Sequence, residues 1–106
     1  MKDGSYRCSL EMRVPIGQRH GKLELNILGE AGDGFLTMFT KRLPISEVNC
    51  SGQELRFSGV METLLYRLPY TAQGTVDSKV VQVVFRTDRG CFPAEGAAIQ
   101  EERKHE

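Results

Sequence analysis

Tyr6-Arg7-Cys8-Ser9-Leu10-Glu11-Met12-Arg13-Val14-Pro15-Ile16 carries an apolar side chain at every even position and a polar residue or proline at every odd one. Successive Cβ atoms of an extended chain point to opposite sides. Strict alternation therefore marks a strand with one buried and one wet face. A helix would scatter the same residues around its circumference. A run this long is expected to bend along its course.

The pattern continues outward from that stretch. Gly17-Gln18-Arg19-His20-Gly21 is expected to turn the chain, after which Leu23, Leu25 and Ile27 form a second buried row. Gly29 to Gly34 reads as the next turn, Phe35 to Phe39 as a third strand, and Pro44 as the start of a fourth carrying Ile45, Val48 and Cys50. Ser51-Gly52 is a compact hairpin turn. The fifth strand turns Leu55, Phe57, Gly59 and Met61 inward, and the sixth Tyr70, Ala72, Gly74 and Val76. Asp77-Ser78-Lys79 leads into Val80 to Phe85. Thr87 to Gly90 leads into a last strand over Cys91 to Ile99.

Turn signals at such regular spacing predict a meander of short strands. Eight antiparallel strands are best satisfied by closure, which leaves no unpaired edge. The expected fold is a single all-β domain over residues 1–99, an eight-stranded antiparallel up-and-down barrel. Residues 100–106 are expected to form a charged, disordered tail. Pro93 lacks a ladder donor, so the last strand is expected to close through a bulge or only in part. Around 62–67 no turn residue marks the reversal. Leu64, Leu65 and Leu68 also fit one helical face, so a short helical turn competes there with strand-turn-strand.

Bulk composition narrows the function classes. The chain has 106 residues, room for one core, and 14 basic residues balance 14 acidic ones. No net field recruits nucleic acid or an anionic membrane, and no apolar run approaches the roughly 20 residues of a spanning helix. Cys8, Cys50 and Cys91 make an odd, widely spaced set, unlike a secreted disulfide framework. Met1 to Ser5 lacks the apolar core of a signal peptide. The expected location is the cytoplasm, where Asn49-Cys50-Ser51 is no glycosylation acceptor.

Taken in order, Val14-Pro15-Ile16-Gly17, Gly21-Lys22-Leu23-Glu24-Leu25, Leu36-Thr37-Met38 and Pro44-Ile45 form a recognisable series of strand and turn motifs. Ser51-Gly52-Gln53-Glu54-Leu55, Gly74-Thr75-Val76 and Phe92-Pro93-Ala94-Glu95-Gly96 complete it. The series resembles a family of uncharacterised bacterial domains of calycin-like β-barrel type, over nearly the whole chain. The resemblance implies an eight-stranded barrel and no chemistry. The chain departs from the pattern at Asp77-Ser78-Lys79, where a turn glycine is usual, and in the glycine-free reversal from Leu64 to Arg67.

No catalytic constellation emerges from the residues. His20 lies in a turn and His105 in the tail, so neither thiol nor zinc chemistry has a partner, and no cofactor is expected. Asp3, Asp33, Asp77 and Asp88 are turn or terminal residues, and Glu11, Glu24 and Glu54 lie on outward rows. Gly29 to Gly34 leads into a strand rather than a helix, which excludes a phosphate loop. Arg7, Arg13, Arg19 and Lys22 read as a solvated basic strip on the first hairpin.

Two readings remain, and neither is an enzyme. One is a barrel binding a small apolar ligand in its interior or mouth, with Tyr6, Met12, Phe57, Met61, Tyr70 and Phe85 as lining candidates. The other is a homodimer or interaction module with a filled core. Leu28, Val60, Leu64, Leu65 and Val84 are its interface candidates, because they lack inward slots.

Overall fold

The computed structural model describes residues 3–15, 17–63, 65, 67–77 and 79–101. Its strands are β1 (Gly4–Val14), β2 (Gly17–Leu28), β3 (Ala31–Met38), β4 (Lys41–Ser51), β5 (Glu54–Glu62), β6 (Arg67–Asp77), β7 (Val80–Thr87) and β8 (Gly90–Glu101). Six of the seven connections are two residues long and the other spans 63–66. A parallel neighbour would need a crossover of about a dozen residues or more, so each strand must pair antiparallel with the next. β8 then pairs with β1, from Ser5 opposite Glu101 to Met12 opposite Ala94, and the sheet closes.

The expected barrel is thus the fold of the chain, calycin-like in topology, and several details differ from expectation. β2 begins at Gly17, and Val14 lies opposite Gly17 and Leu10 opposite Gly21. The first turn is therefore tighter than the polar stretch 17–21 suggested. Gly21 serves inside a strand, where a Cβ would strike the side chain of Met38 and lie 2.7 Å from the Thr37 carbonyl. Likewise β3 starts at Ala31, so only Gly29-Glu30 forms the turn, with Gly29 at φ +67°. Gln100 and Glu101, expected in the tail, belong to β8.

Pro93 leaves the closure intact, for a reason set by register. The Ala98 N–H donates to the Lys79 carbonyl at 2.6 Å, so even residues of β8 aim their amides at β7 and odd residues at β1. Pro93 points toward β1 opposite Arg13, one step past the last β1–β8 pair. The β1–β8 ladder ends there, two residues short of the end of β1, and the rest of the seam is paired without a register shift. β5 ends at Glu62 opposite Arg67, where β6 begins. None of the described residues at 62–67 is helical, and Leu64 and Tyr66 lie outside the described residues.

One irregularity explains the uneven spacing of Ile45 and Val48. β4 holds one extra residue against both neighbours. Its pairing shifts between Gly34–Ile45 and Gly32–Val48 on one side, and between Ser46–Ser58 and Asn49–Arg56 on the other. Glu47 takes up the bulge at φ +53°, and its carboxylate accepts a hydrogen bond from Ser58 Oγ at 3.2 Å. Val48 and Cys50 thereby return to the interior.

Inside, apolar rows from all eight strands meet with no buried polar residue among those described. Phe57, Tyr70 and Phe85 pack edge-to-face in all three pairings, with centroids 5.1–6.1 Å apart. Tyr70 lies opposite Gly59 and covers it, its hydroxyl 2.8 Å from where a Cβ would stand. β8 contributes only small residues to this level of the core, Ala94, Gly96 and Ala98, so the closing strand fits against the bulky rows of β7 and β1.

Candidate functional site

Alternate turns of an up-and-down barrel gather at each end. The β1–β2, β3–β4, β5–β6 and β7–β8 connections frame one mouth, and the inward rows of the strands end there. Met12, Met61 and Leu68 form the floor of a cup of about 310 Å³, and Val14, Phe39 and Phe92 form apolar parts of its wall. The floor residues are buried, whereas Val14, Phe39 and Phe92 are half-buried and pack on the core from above. Arg19, Thr63 and Arg89 supply the polar rim.

Local sequence places each of these groups. Met61 and Leu68 lie opposite one another on β5 and β6, and Phe92 lies opposite Phe85 across β7 and β8. Phe39-Thr40 makes the β3–β4 turn with φ +55° and +65°, the positive values a two-residue hairpin turn requires. Asn and Gly suit such a turn far better than an aromatic and a β-branched residue. The strained turn sets Phe39 at the cup. At the β7–β8 turn, Thr87 Oγ accepts from the Arg89 N–H at 3.0 Å and donates to the Gly90 carbonyl at 2.9 Å, tying down the loop that carries Arg89.

Arg19 is the residue that sequence reasoning misplaced. It is not part of an outer basic strip with Arg7, Arg13 and Lys22. It lies opposite Met12 on β2, in the same inward row as Gly21, Leu23, Leu25 and Ile27, and is half-buried. Counting back in twos from Leu23 would have found it, had 17–21 been read as strand. Its guanidinium donates to the Gln18 carbonyl at 3.0 Å.

Of the six ligand-lining candidates, Met12 and Met61 stand at the cup. Phe57, Tyr70 and Phe85 belong to the aromatic trio beneath it, and Tyr6 packs on the core near the opposite end, across from Leu25. The interface candidates are spread over the surface. Leu28 (76% exposed) ends β2 at the far end, and Leu65 (84%) lies beside the mouth. Val60 faces out on β5 opposite Pro69, Val84 on β7 opposite Gln73, and Leu64 lies outside the described residues.

Elsewhere the molecule offers little chemistry. A second hollow of about 350 Å³ crosses the outer wall over Gly74, bordered by Glu11, Arg13, Gln73, Gln82 and Glu95. Its borders mix these charged and amide groups with Val84 and Pro93, whereas the cup presents mainly apolar walls. Glu24 is held below the usual carboxylate range by its hydrogen bond to Arg42 at 2.9 Å, and Arg42 in turn covers Phe35. His20 stands 3.6 Å from Glu11 on the exposed face, and no group of described residues has the makings of a metal site.

None of the three cysteines forms a disulfide, and they differ sharply in environment. Burial pushes Cys8 up to about 11 and also raises Cys50, while Cys91 is exposed on β8. A disulfide reagent at pH 8 is expected to modify Cys91 rapidly and the other two only on unfolding; fast reaction of more than one thiol refutes this. A buried thiol whose pKa rises on folding favours the folded state below its ordinary value near 9. That contribution is lost as pH climbs through about 11. Thermal melts should therefore drop between pH 9 and 11, and less steeply in Cys8→Ala.

Fold and cup together define a small calycin-like barrel with an apolar mouth. No protein-family model, curated protein or solved structure matches the chain.

Proposed function

We propose that the barrel is a non-enzymatic carrier or sensor that holds a small apolar molecule at its mouth. The observation that carries this reading is the cup of about 310 Å³ floored by Met12, Met61 and Leu68. Its size lies at the lower end of the roughly 300–1,000 Å³ common for small-molecule sites. The mouth is favoured over the deep interior because Phe57, Tyr70 and Phe85 fill the barrel below it. Methionines suit such a floor, since an unbranched thioether adapts to differently shaped apolar guests.

The test is a titration of protein carrying ¹³C-methyl methionine with 1-octanol, a neutral apolar probe. The Met12 and Met61 methyl signals are expected to shift together and saturate. Phe92→Ala, which removes part of the wall, should weaken the response several-fold. Unmoved Met12 and Met61 signals up to the solubility limit of the alcohol would overturn the reading.

A further inference from the structure

Of the five large apolar side chains exposed among the described residues, Val80, Val84 and Ile99 lie on β7 and β8, neighbours in the sheet. Pro93 and Ala97 are exposed on the same two strands. Register joins these residues into pairs. Val80 stands opposite Ala97 and Val84 opposite Pro93, with Gln82 opposite Glu95 between them. The outer wall of a barrel is convex across its strands, but here it is recessed, since Val84 and Pro93 line the hollow of about 350 Å³. A second feature falls at the same place. Glu95 lies directly opposite Glu11 of β1, and like charges so placed repel. Glu11 has His20 at 3.6 Å, whereas Glu95 makes no ion pair among the described residues.

We propose that this wall is a self-recognition surface, on which two copies of the chain pair about a two-fold axis along the β7–β8 seam. Such an axis lies in the interface and carries β7 of one copy onto β8 of the other. Each residue beside the seam then meets its own cross-strand neighbour in the partner copy, so register decides whether the surface fits itself. The pairs satisfy that condition. Val84 meets the partner's Pro93 and Val80 the partner's Ala97, apolar on apolar. Gln82 meets the partner's Glu95, and its amide donates to the carboxylate that Glu11 repels. No like charges face each other at the seam. An axis across the strands through Gln82 and Glu95 would instead set Glu95 on the partner's Glu95, which favours the axis along the seam.

Area sets the strength. With strands about 4.8 Å apart and a rise of about 3.3 Å per residue, β6 to β1 over the eight residues of β7 offer about 500 Å². Two such patches bury about 1,000 Å², below the roughly 1,200–2,000 Å² of stable complexes. The pair is therefore weak and reversible, with a dissociation constant of about 10–100 μM. The mouth lies at the end of the barrel and stays open, so pairing is independent of any guest held there.

Sedimentation velocity over about 1–500 μM protein at pH 7 is expected to show a reversible monomer–dimer equilibrium. Val84→Glu should weaken pairing about tenfold or more. Leu65→Glu, the same kind of change at an apolar residue exposed beside the mouth, should leave it unaltered. Gln82→Glu sets two carboxylates together across the seam and should weaken pairing about tenfold. Adding Glu95→Gln should restore it to within about threefold, because the amide–carboxylate pair re-forms with its members exchanged. Gln82→Glu with Glu54→Gln has the same net charge but alters β5 instead, and should stay weak. A monomer at every concentration overturns the proposal. Undiminished pairing in Val84→Glu overturns the choice of wall, and failure of Glu95→Gln to rescue overturns the axis. Circular dichroism and thermal melts of each variant separate lost pairing from lost fold.

Discussion

Phe85→Ala is expected to lower the free energy of unfolding by about 3–5 kcal/mol, a drop in melting temperature of about 15 °C or more for a domain of this size. The Phe85 side chain is fully buried and meets both other rings of the core, at 5.9 Å from Phe57 and 5.1 Å from Tyr70. Its removal takes away apolar burial and two edge-to-face contacts at once. It also leaves a void that the curved walls of a closed sheet cannot collapse to fill. Stabilities of small domains are about 5–15 kcal/mol, so this variant stands close to unfolding.

Phe85→Leu, which restores most of the volume, should cost under about 2 kcal/mol. Phe35→Ala provides the outside comparison, since that ring faces solvent under the Arg42 guanidinium, 3.7 Å from its centroid. It should cost about 1 kcal/mol. Urea unfolding followed by circular dichroism measures all three. A loss at Phe85 no larger than that at Phe35 would mean that the aromatic trio does not organise the core.

The barrel was legible because its signal is repetitive. Each strand that alternates cleanly, such as Tyr6 to Val14 or Leu55 to Met61, assigns its own inside face, and the two-residue turns leave antiparallel neighbours as the sole option. What misled was glycine. A glycine in a turn and a glycine in a strand look alike in one sequence, because one supplies a positive φ and the other supplies space. Gly29 is the first kind; Gly21, Gly34 and Gly74 are the second, each facing the backbone of a neighbouring strand where a Cβ would stand. Reading Gly17 to Gly21 as a loop shortened β2, and that error hid Arg19. Pro93 misled for a related reason: whether a missing donor matters depends on which neighbour it faces, and register alone decides that.

The candidate site was less legible than the fold. Met12 and Met61 were marked by their inward rows, but a mouth is assembled from four connections far apart in sequence. Phe39 and Arg89 sit in turns, where residue type says little about direction. Three of the four aromatic residues chosen as ligand contacts, Phe57, Tyr70 and Phe85, meet one another at mid-barrel. Their size made them look like a lining, and the same size lets them fill an eight-stranded interior.

Gly96→Ala tests the closure itself, and the expected loss is about 3 kcal/mol or more, above the usual range for one added methyl group. Gly96 stands between Leu10 of β1 and Val81 of β7, in the row of small residues on β8. A Cβ there would run into the Ser9 carbonyl and lie 3.1 Å from the Leu10 Cα. Those are backbone atoms held by the ladder, so no side chain can swing aside to make room. The two strands must separate or the coil of the sheet must relax, and either weakens the one seam joining the ends of the meander. Ala97→Val, one residue along on the outer face, adds more bulk but should change stability by no more than about 0.5 kcal/mol. Hydrogen exchange should localise the damage, with amides of β1 and β8 losing protection before those of β5 and β6. Unchanged stability in Gly96→Ala would mean that β1 and β8 do not approach as closely as the closed barrel requires.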